Sequence, residues 1–142
     1  MSRNMTRDEW HAFVSAGTRT GKLAVVRKDG SPHVVPIWFV LDGDDFVFTT
    51  GATTTKGYAL RRDGRAAICV DDDRPPFAFV SAAGAVRISE DLDEMLVWAT
   101  RLGARYMGAG AAEEFGRRNA VAGELLVRLT PNRVIAEAAI AD

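Results

Sequence analysis

Cysteine is nearly absent. The single one, Cys69, can form no disulfide within the chain, and its place in the apolar run Arg65 to Val70 reads as a buried thiol rather than a nucleophile. Histidine is also scarce. His11 falls on an expected surface helix and His33 at a strand start, so no histidine or cysteine cluster has metal-ligand spacing and no zinc site is expected. An excess of either charge is missing too: 18 basic against 19 acidic residues leave a net charge of -1, which gives no long-range pull toward nucleic acid or an anionic membrane. No apolar run approaches the ~18 residues that a membrane helix needs, and the opening residues Met1 to Phe13 are too polar for a signal peptide. The expected compartment is the cytoplasm. Repeats and linkers are lacking as well, so one domain is expected over residues 1–142, with a sizeable core supplied by 47% hydrophobic residues.

What is present reads mainly as strands. After a first helix with Trp10, Phe13 and Val14 as its apolar stripe, ended at Gly17, a strand runs from Lys22 to Lys28 and turns at Asp29-Gly30. The returning strand, His33 to Leu41, is apolar on both alternating faces, with Val34, Trp38 and Val40 on one and Val35, Ile37, Phe39 and Leu41 on the other. Such a strand needs two covers. Pro36, which cannot donate to a ladder, puts it at an edge or a bulge. Further strands are expected at Phe46 to Thr50, Arg65 to Val70, Phe77 to Ile88 (bent at Gly84), Glu124 to Leu129 and, after Pro131, Arg133 to Ala138. Between the last groups the pattern turns helical, at about 91–121, with one helix from Asp91 to Met107 and another from Ala112 to Arg118. This is a mainly β domain with flanking helices, an antiparallel barrel carrying a helical insertion.

One stretch stands out chemically. The strand ending at Thr49-Thr50-Gly51 runs into Thr53-Thr54-Thr55, then Lys56, then a short helix around Tyr58 to Arg62. Thr54 or Thr55 as N-cap would leave backbone N–H groups, hydroxyls and an ammonium together at a helix start, the chemistry of an anion cradle. The plain alternative is a threonine turn beside a solvated lysine. Gly108-Ala109-Gly110 follows a helix rather than a strand and lacks a third glycine, so it does not make a dinucleotide fingerprint. No catalytic side chain is assigned and no side-chain nucleophile is expected; His33 reads first as a strand-end residue with a satisfied ring nitrogen, with a proton donor to substrate as the alternative.

Taken in order, Gly30 to Trp38, Thr49-Thr50, Lys56 with Leu60 to Asp63, Arg65, Arg105 to Gly108 and Gly123 to Arg128 resemble the pyridoxamine 5'-phosphate oxidase-like split β-barrel family, in its actinobacterial branch that uses the deazaflavin coenzyme F420. The resemblance implies a six-stranded antiparallel split β-barrel of the FMN-binding type, forming a homodimer with cofactor sites at the interface. It implies that the backbone at Pro36, Ile37 and Trp38 lines the cofactor ring, that Thr49 and Thr50 bond its polar edge or tail, that Lys56 holds the phosphate, and that Phe77 stacks on or closes over the ring from the other subunit; Thr54 and Thr55, from the cradle, complete the expected cofactor-binding set. The activity implied is hydride transfer from reduced F420 to an unsaturated small molecule such as a biliverdin-like tetrapyrrole, a quinone or an enone. An FMN-dependent oxidoreductase and a non-catalytic flavin, F420 or haem binder are the alternatives. The chain departs from the family pattern at Ala59, where relatives commonly carry asparagine, and at Tyr58.

Overall fold

Three of the four α-helices start at a side-chain cap, and the chain lays out eight strands and four α-helices in all. The structure, a computed structural model, describes residues 1–142 in the order β1 (Arg3–Asn4), α1 (Arg7–Ser15), β2 (Gly21–Val26), β3 (Pro32–Ile37), β4 (Val40–Asp42), β5 (Asp45–Gly51), α2 (Thr55–Asp63), β6 (Arg65–Asp72), β7 (Ala78–Ser89), α3 (Leu92–Met107), α4 (Ala112–Asn119) and β8 (Glu124–Ala138). Thr6 opens α1 with a reciprocal capping box to Glu9, and Asp91 caps α3 through the N–H groups of Asp93 and Glu94. No helix is long and apolar enough to cross a membrane.

All strands belong to one antiparallel sheet ordered β3-β2-β6-β7-β8-β5-β4, with β1 paired to β8. Its two edge strands, β3 and β4, are consecutive in the chain and joined only by Trp38 and Phe39. The barrel is thus closed covalently but split in its hydrogen bonding. Its interior holds Phe39, Phe46, Phe48, Ile68, Leu125 and Leu129 in one cluster, to which α1 adds Trp10 and Val14 and α2 adds Ala59 and Leu60. A second cluster, Val47, Met95, Trp98 and Leu126, fixes α3 on the outer face.

Three expectations are corrected here. The single strand His33 to Leu41 is two: β3 pairs only with β2, as a strand carrying Pro36 must at an edge, and β4 pairs with β5. Its second cover is partly the chain's own, because Trp38 stacks on Tyr106 of α3 (5.0 Å between centroids, 6° between planes) and meets Phe115 of α4. Val34 remains 65% exposed. Next, Glu124 to Leu129 and Arg133 to Ala138 are one strand, since Pro131 is absorbed by a register shift opposite Ala83 and Gly84. A Cβ on Gly84 would stand 2.0 Å from the Thr130 carbonyl oxygen, so that crossing is open to glycine alone. Finally, with the short β1 and the divided β3 and β4, the sheet has eight strands rather than six.

Candidate functional site

The threonine loop folds back on the end of β5 through its own hydroxyls. Thr54 Oγ1 donates to the Gly51 carbonyl (2.8 Å), accepts from Gly57 N–H (3.1 Å) as the N-cap of α2, and lies 3.3 Å from Thr50 Oγ1. A Cβ on Gly57 would meet Gly51 O at 2.2 Å, so only glycine lets the first turn of α2 rest directly on the strand end. With Gly57 satisfied by the cap, the N–H groups of Thr55 and Lys56 donate to no turn or cap acceptor. They are left for an outside acceptor.

The charge pattern of α2 differs from that of the other helices. Acids occupy the first turns of α1, α3 and α4, where they meet the positive end of the macrodipole, whereas α2 has none and carries Lys56 there instead. Glu124, at the start of β8, lies in the field of Lys56: burial pushes its carboxyl above the ordinary glutamate value, and the Lys56 ammonium pulls it partly back. Local sequence gives no sign of this neighbour. It comes from the β5–β8 register, which sets Glu124 opposite Gly51.

Of the expected site residues, Thr50, Thr54, Thr55 and Lys56 gather at this cradle. Thr50 is buried and turns its hydroxyl toward Thr54, while Thr53 and Thr55 are exposed. Thr49 lies on the outer face of β5, two residues from Val47. Ile37 sends its side chain into the core, so only its backbone is open to a ligand, and Pro36 is exposed. The β4–β5 pairing of Val40 with Val47, carried back two residues, would set Trp38 level with Thr49, but the chain there leaves β5 to join β2. Phe77 is not brought near in the same chain. It precedes the 12-residue β7 at the end opposite Glu124 and Gly51, roughly 40 Å along the strand at ~3.3 Å per residue.

The gap between β3 and β4 is held by α3. Arg105 donates to the carbonyls of Val14 (2.6 Å), Phe39 (2.7 Å) and Gly17 (3.0 Å), and the Tyr106 hydroxyl accepts from Phe39 N–H (3.2 Å) while lying within donating reach of Arg19 O and Phe39 O. In the sequence Arg105 is visible only as a piece of a family pattern, and Tyr106 as that and as one of the apolar residues of the helix from Asp91 to Met107. Ala59, a departure from that pattern, faces the core. An apolar groove of about 530 Å³, lined by Ala24, Val26, Ala67, Ala83 and Asn132, lies apart from the cradle on the outer face of β2, β6 and β7.

The fold is shared with solved structures. A conserved hypothetical protein from Mycobacterium tuberculosis is 27% identical, with a TM-score of 0.83 over 95% of this chain and 86% of that one. An F420 reductase is 24% identical with a TM-score of 0.68, covering 87% of this chain and 94% of the other. HutZ, the haem storage protein of Vibrio cholerae, is 16% identical with a TM-score of 0.72, over 92% and 94%. At those identities the last two speak for the fold alone. No curated protein is similar enough to count as a match. The profile of one family does match, over residues 6–137, nearly the whole barrel with its helices, and the chain belongs to that family, pyridoxamine 5'-phosphate oxidase.

Proposed function

We propose that this protein is a reductase that uses coenzyme F420, with the cofactor phosphate at the N-terminus of α2 and the acceptor an unsaturated small molecule such as a tetrapyrrole, a quinone or an enone. The observation that carries the reading is the start of α2: free N–H groups at Thr55 and Lys56, an ammonium in the first turn, and no acid within that turn. A lysine in that position opposes the macrodipole, and an anion between the two positive features removes the conflict. The residues present therefore fit a phosphate group. A solved F420 reductase has the same fold, so F420 is a cofactor this fold can carry.

When bound, the reduced deazaflavin supplies the hydride. The chain's own part is to bind and orient. Lys56 and the Thr55 hydroxyl hold the phosphate, Thr49 offers a hydroxyl on the outer face of β5, and the backbone of Pro36 to Trp38 lines the ring. Trp38 is braced for that task by its stacking on Tyr106. Phe77, remote from the cradle in its own chain, reaches the ring of a partner protomer in a homodimer. That dimer would cover Val34 and Ile135, which are 65% and 48% exposed.

The test is fluorescence titration of F420, and separately of FMN, into the protein and into Lys56→Ala, with thermal melts of both. F420 should bind the native protein, and Lys56→Ala, losing a charge-assisted contact worth about 1.5 to 3 kcal/mol, should bind it roughly ten- to a hundredfold more weakly with an unchanged melt. Equal binding by the two proteins refutes the cradle. Tight binding of FMN without F420 transfers the reading to a flavin oxidoreductase on the same barrel.

A further inference from the structure

The cradle carries a negative charge of its own. Ala52 N–H donates to Gly123 O (2.8 Å) and Glu124 stands in register with Gly51, so the first residue of β8 is fixed beside the threonine loop. One Glu124 carboxylate oxygen lies 4.0 Å from where a Cβ on Gly51 would be, on the side of the loop that Lys56 shares electrostatically. The two do not close an ion pair. The salt bridges of the chain, from Arg3–Glu9 through Arg128–Glu94, leave both out, so neither ammonium nor carboxylate is tied to a partner.

The sum of charges limits what such a cradle can take. The helix end contributes about +0.5 of an elementary charge, Lys56 adds one, and an ionised Glu124 subtracts one. A phosphodiester brings a single negative charge to this balance. A phosphomonoester above its second pKa of about 6 brings nearly two, and the second is met by repulsion from Glu124 instead of by a cation. Building on the cradle reading, we propose that Glu124 is a specificity-determining residue that makes the site favour a phosphodiester over a phosphomonoester. This would separate F420, whose phosphate is a diester, from FMN, whose phosphate is a monoester.

The experiment measures dissociation constants at pH 8 for F420, FMN and riboflavin, which has no phosphate, with the native protein, Glu124→Gln and Glu124→Asp. Glu124→Gln should strengthen FMN binding by roughly tenfold and F420 binding by roughly threefold, because the repulsion it removes scales with the charge on the phosphate held in the cradle. Riboflavin should not respond. Glu124→Asp, which keeps the charge, should hold the native ratio of FMN to F420 affinity. The proposal is overturned if F420 and FMN change by the same factor, if neither changes, or if riboflavin changes as much as FMN. If F420 binding depends on Lys56 while Glu124→Gln alters nothing, this proposal fails and the cradle stands; if no phosphate ligand binds the native protein, both fall.

Discussion

Replacing Arg105 with methionine should destabilise the chain by about 2 to 5 kcal/mol, through carbonyls left without a donor. Methionine keeps most of the stem's packing but none of the guanidinium bonds to Val14 O, Gly17 O and Phe39 O. Tyr106 still reaches Phe39, so the part-buried Val14 carbonyl is the one orphaned, at about 1 to 3 kcal/mol, while the exposed Gly17 carbonyl passes to water and loses only the net worth of its bond to a charged group, about 1 to 2 kcal/mol. The guanidinium also lies over the Phe39 and Tyr106 rings, at 4.7 and 4.9 Å from their centroids. Burial holds the Arg105 pKa below its ordinary value, so desolvation already offsets part of the gain and trims the upper end of the range. With an unfolding entropy of ~2.1 cal/mol/K per residue, a chain of 142 residues shifts its melting temperature by about 3 °C per kcal/mol, which gives a fall of roughly 6 to 15 °C. Urea unfolding and thermal melts of the native protein, Arg105→Met and Arg105→Lys measure it. Lysine, with one ammonium in place of the fork, should fall between the other two. A methionine variant that melts within about 2 °C of the native protein would refute the view that Arg105 holds the split in the barrel closed.

Gly84→Ala should cost about 2 kcal/mol or more in urea unfolding, because its Cβ would meet only backbone, at 2.0 Å from Thr130 O and 3.0 Å from Asn132 N; an unchanged midpoint would mean that the β7–β8 crossing yields freely. Asp72, held chiefly by the Arg74 side chain and then by its N–H and by Arg19, has its carboxyl pulled down to about 2. A depressed carboxylate stabilises the fold above its unfolded pKa of ~3.9 and loses that contribution as pH falls toward the folded value, so the native melting temperature should drop more steeply than that of Asp72→Asn between about pH 4 and 2. Parallel curves would show that Asp72 does not contribute to acid stability. In sedimentation equilibrium the protein should run at about twice 15.4 kDa, and a stable monomer at micromolar concentration would remove the partner's Phe77 from the site.

The sequence makes local features readable and long-range ones opaque, for reasons visible at single residues. Thr54 as the N-cap, Gly64 after the last turn of α2, and the two insertion helices with acids early and basic residues late follow from rules that act within a few positions. The division of His33 to Leu41 does not. Pro36 announces an edge, but the point at which the chain exchanges β2 for β5 is set by Arg105 and Tyr106, which hold the Phe39 backbone from the end of α3. Pro131 misleads in the opposite sense, since a break signal inside a strand is absorbed by a bulge facing Gly84. In the cradle, Lys56 and its threonines are legible because they are neighbours in the chain. Glu124 is not, because only the sheet register places it there.

Three of the places where the chain opposes a local rule fall within the proposed site. Pro36 withholds a ladder donor from a strand, Lys56 sets a positive charge at the positive end of α2, and Phe77 holds a φ of 66°, a left-handed backbone that costs a bulky residue about 1 to 2 kcal/mol. Each is kept by its surroundings. The edge position of β3 spares Pro36 a second partner, the Thr54 cap and Gly57 pin the start of α2, and Phe77 is held by its N–H on Arg74 O (2.8 Å) and its carbonyl under Ile140 N–H (3.1 Å). A residue chosen only for stability would be different at each: any strand former at 36, an acid at 56, a glycine at 77. Local departures that a fold goes on holding in place mark positions where something other than folding sets the residue. Here the three are a backbone left open at a strand edge, a cation left open at a helix start, and a half-exposed aromatic ring at the far end of the barrel. In one chain Phe77 lies too far along β7 from the cradle to act on a ligand held there, and that separation is the physical reason for expecting the site to be completed by a second copy.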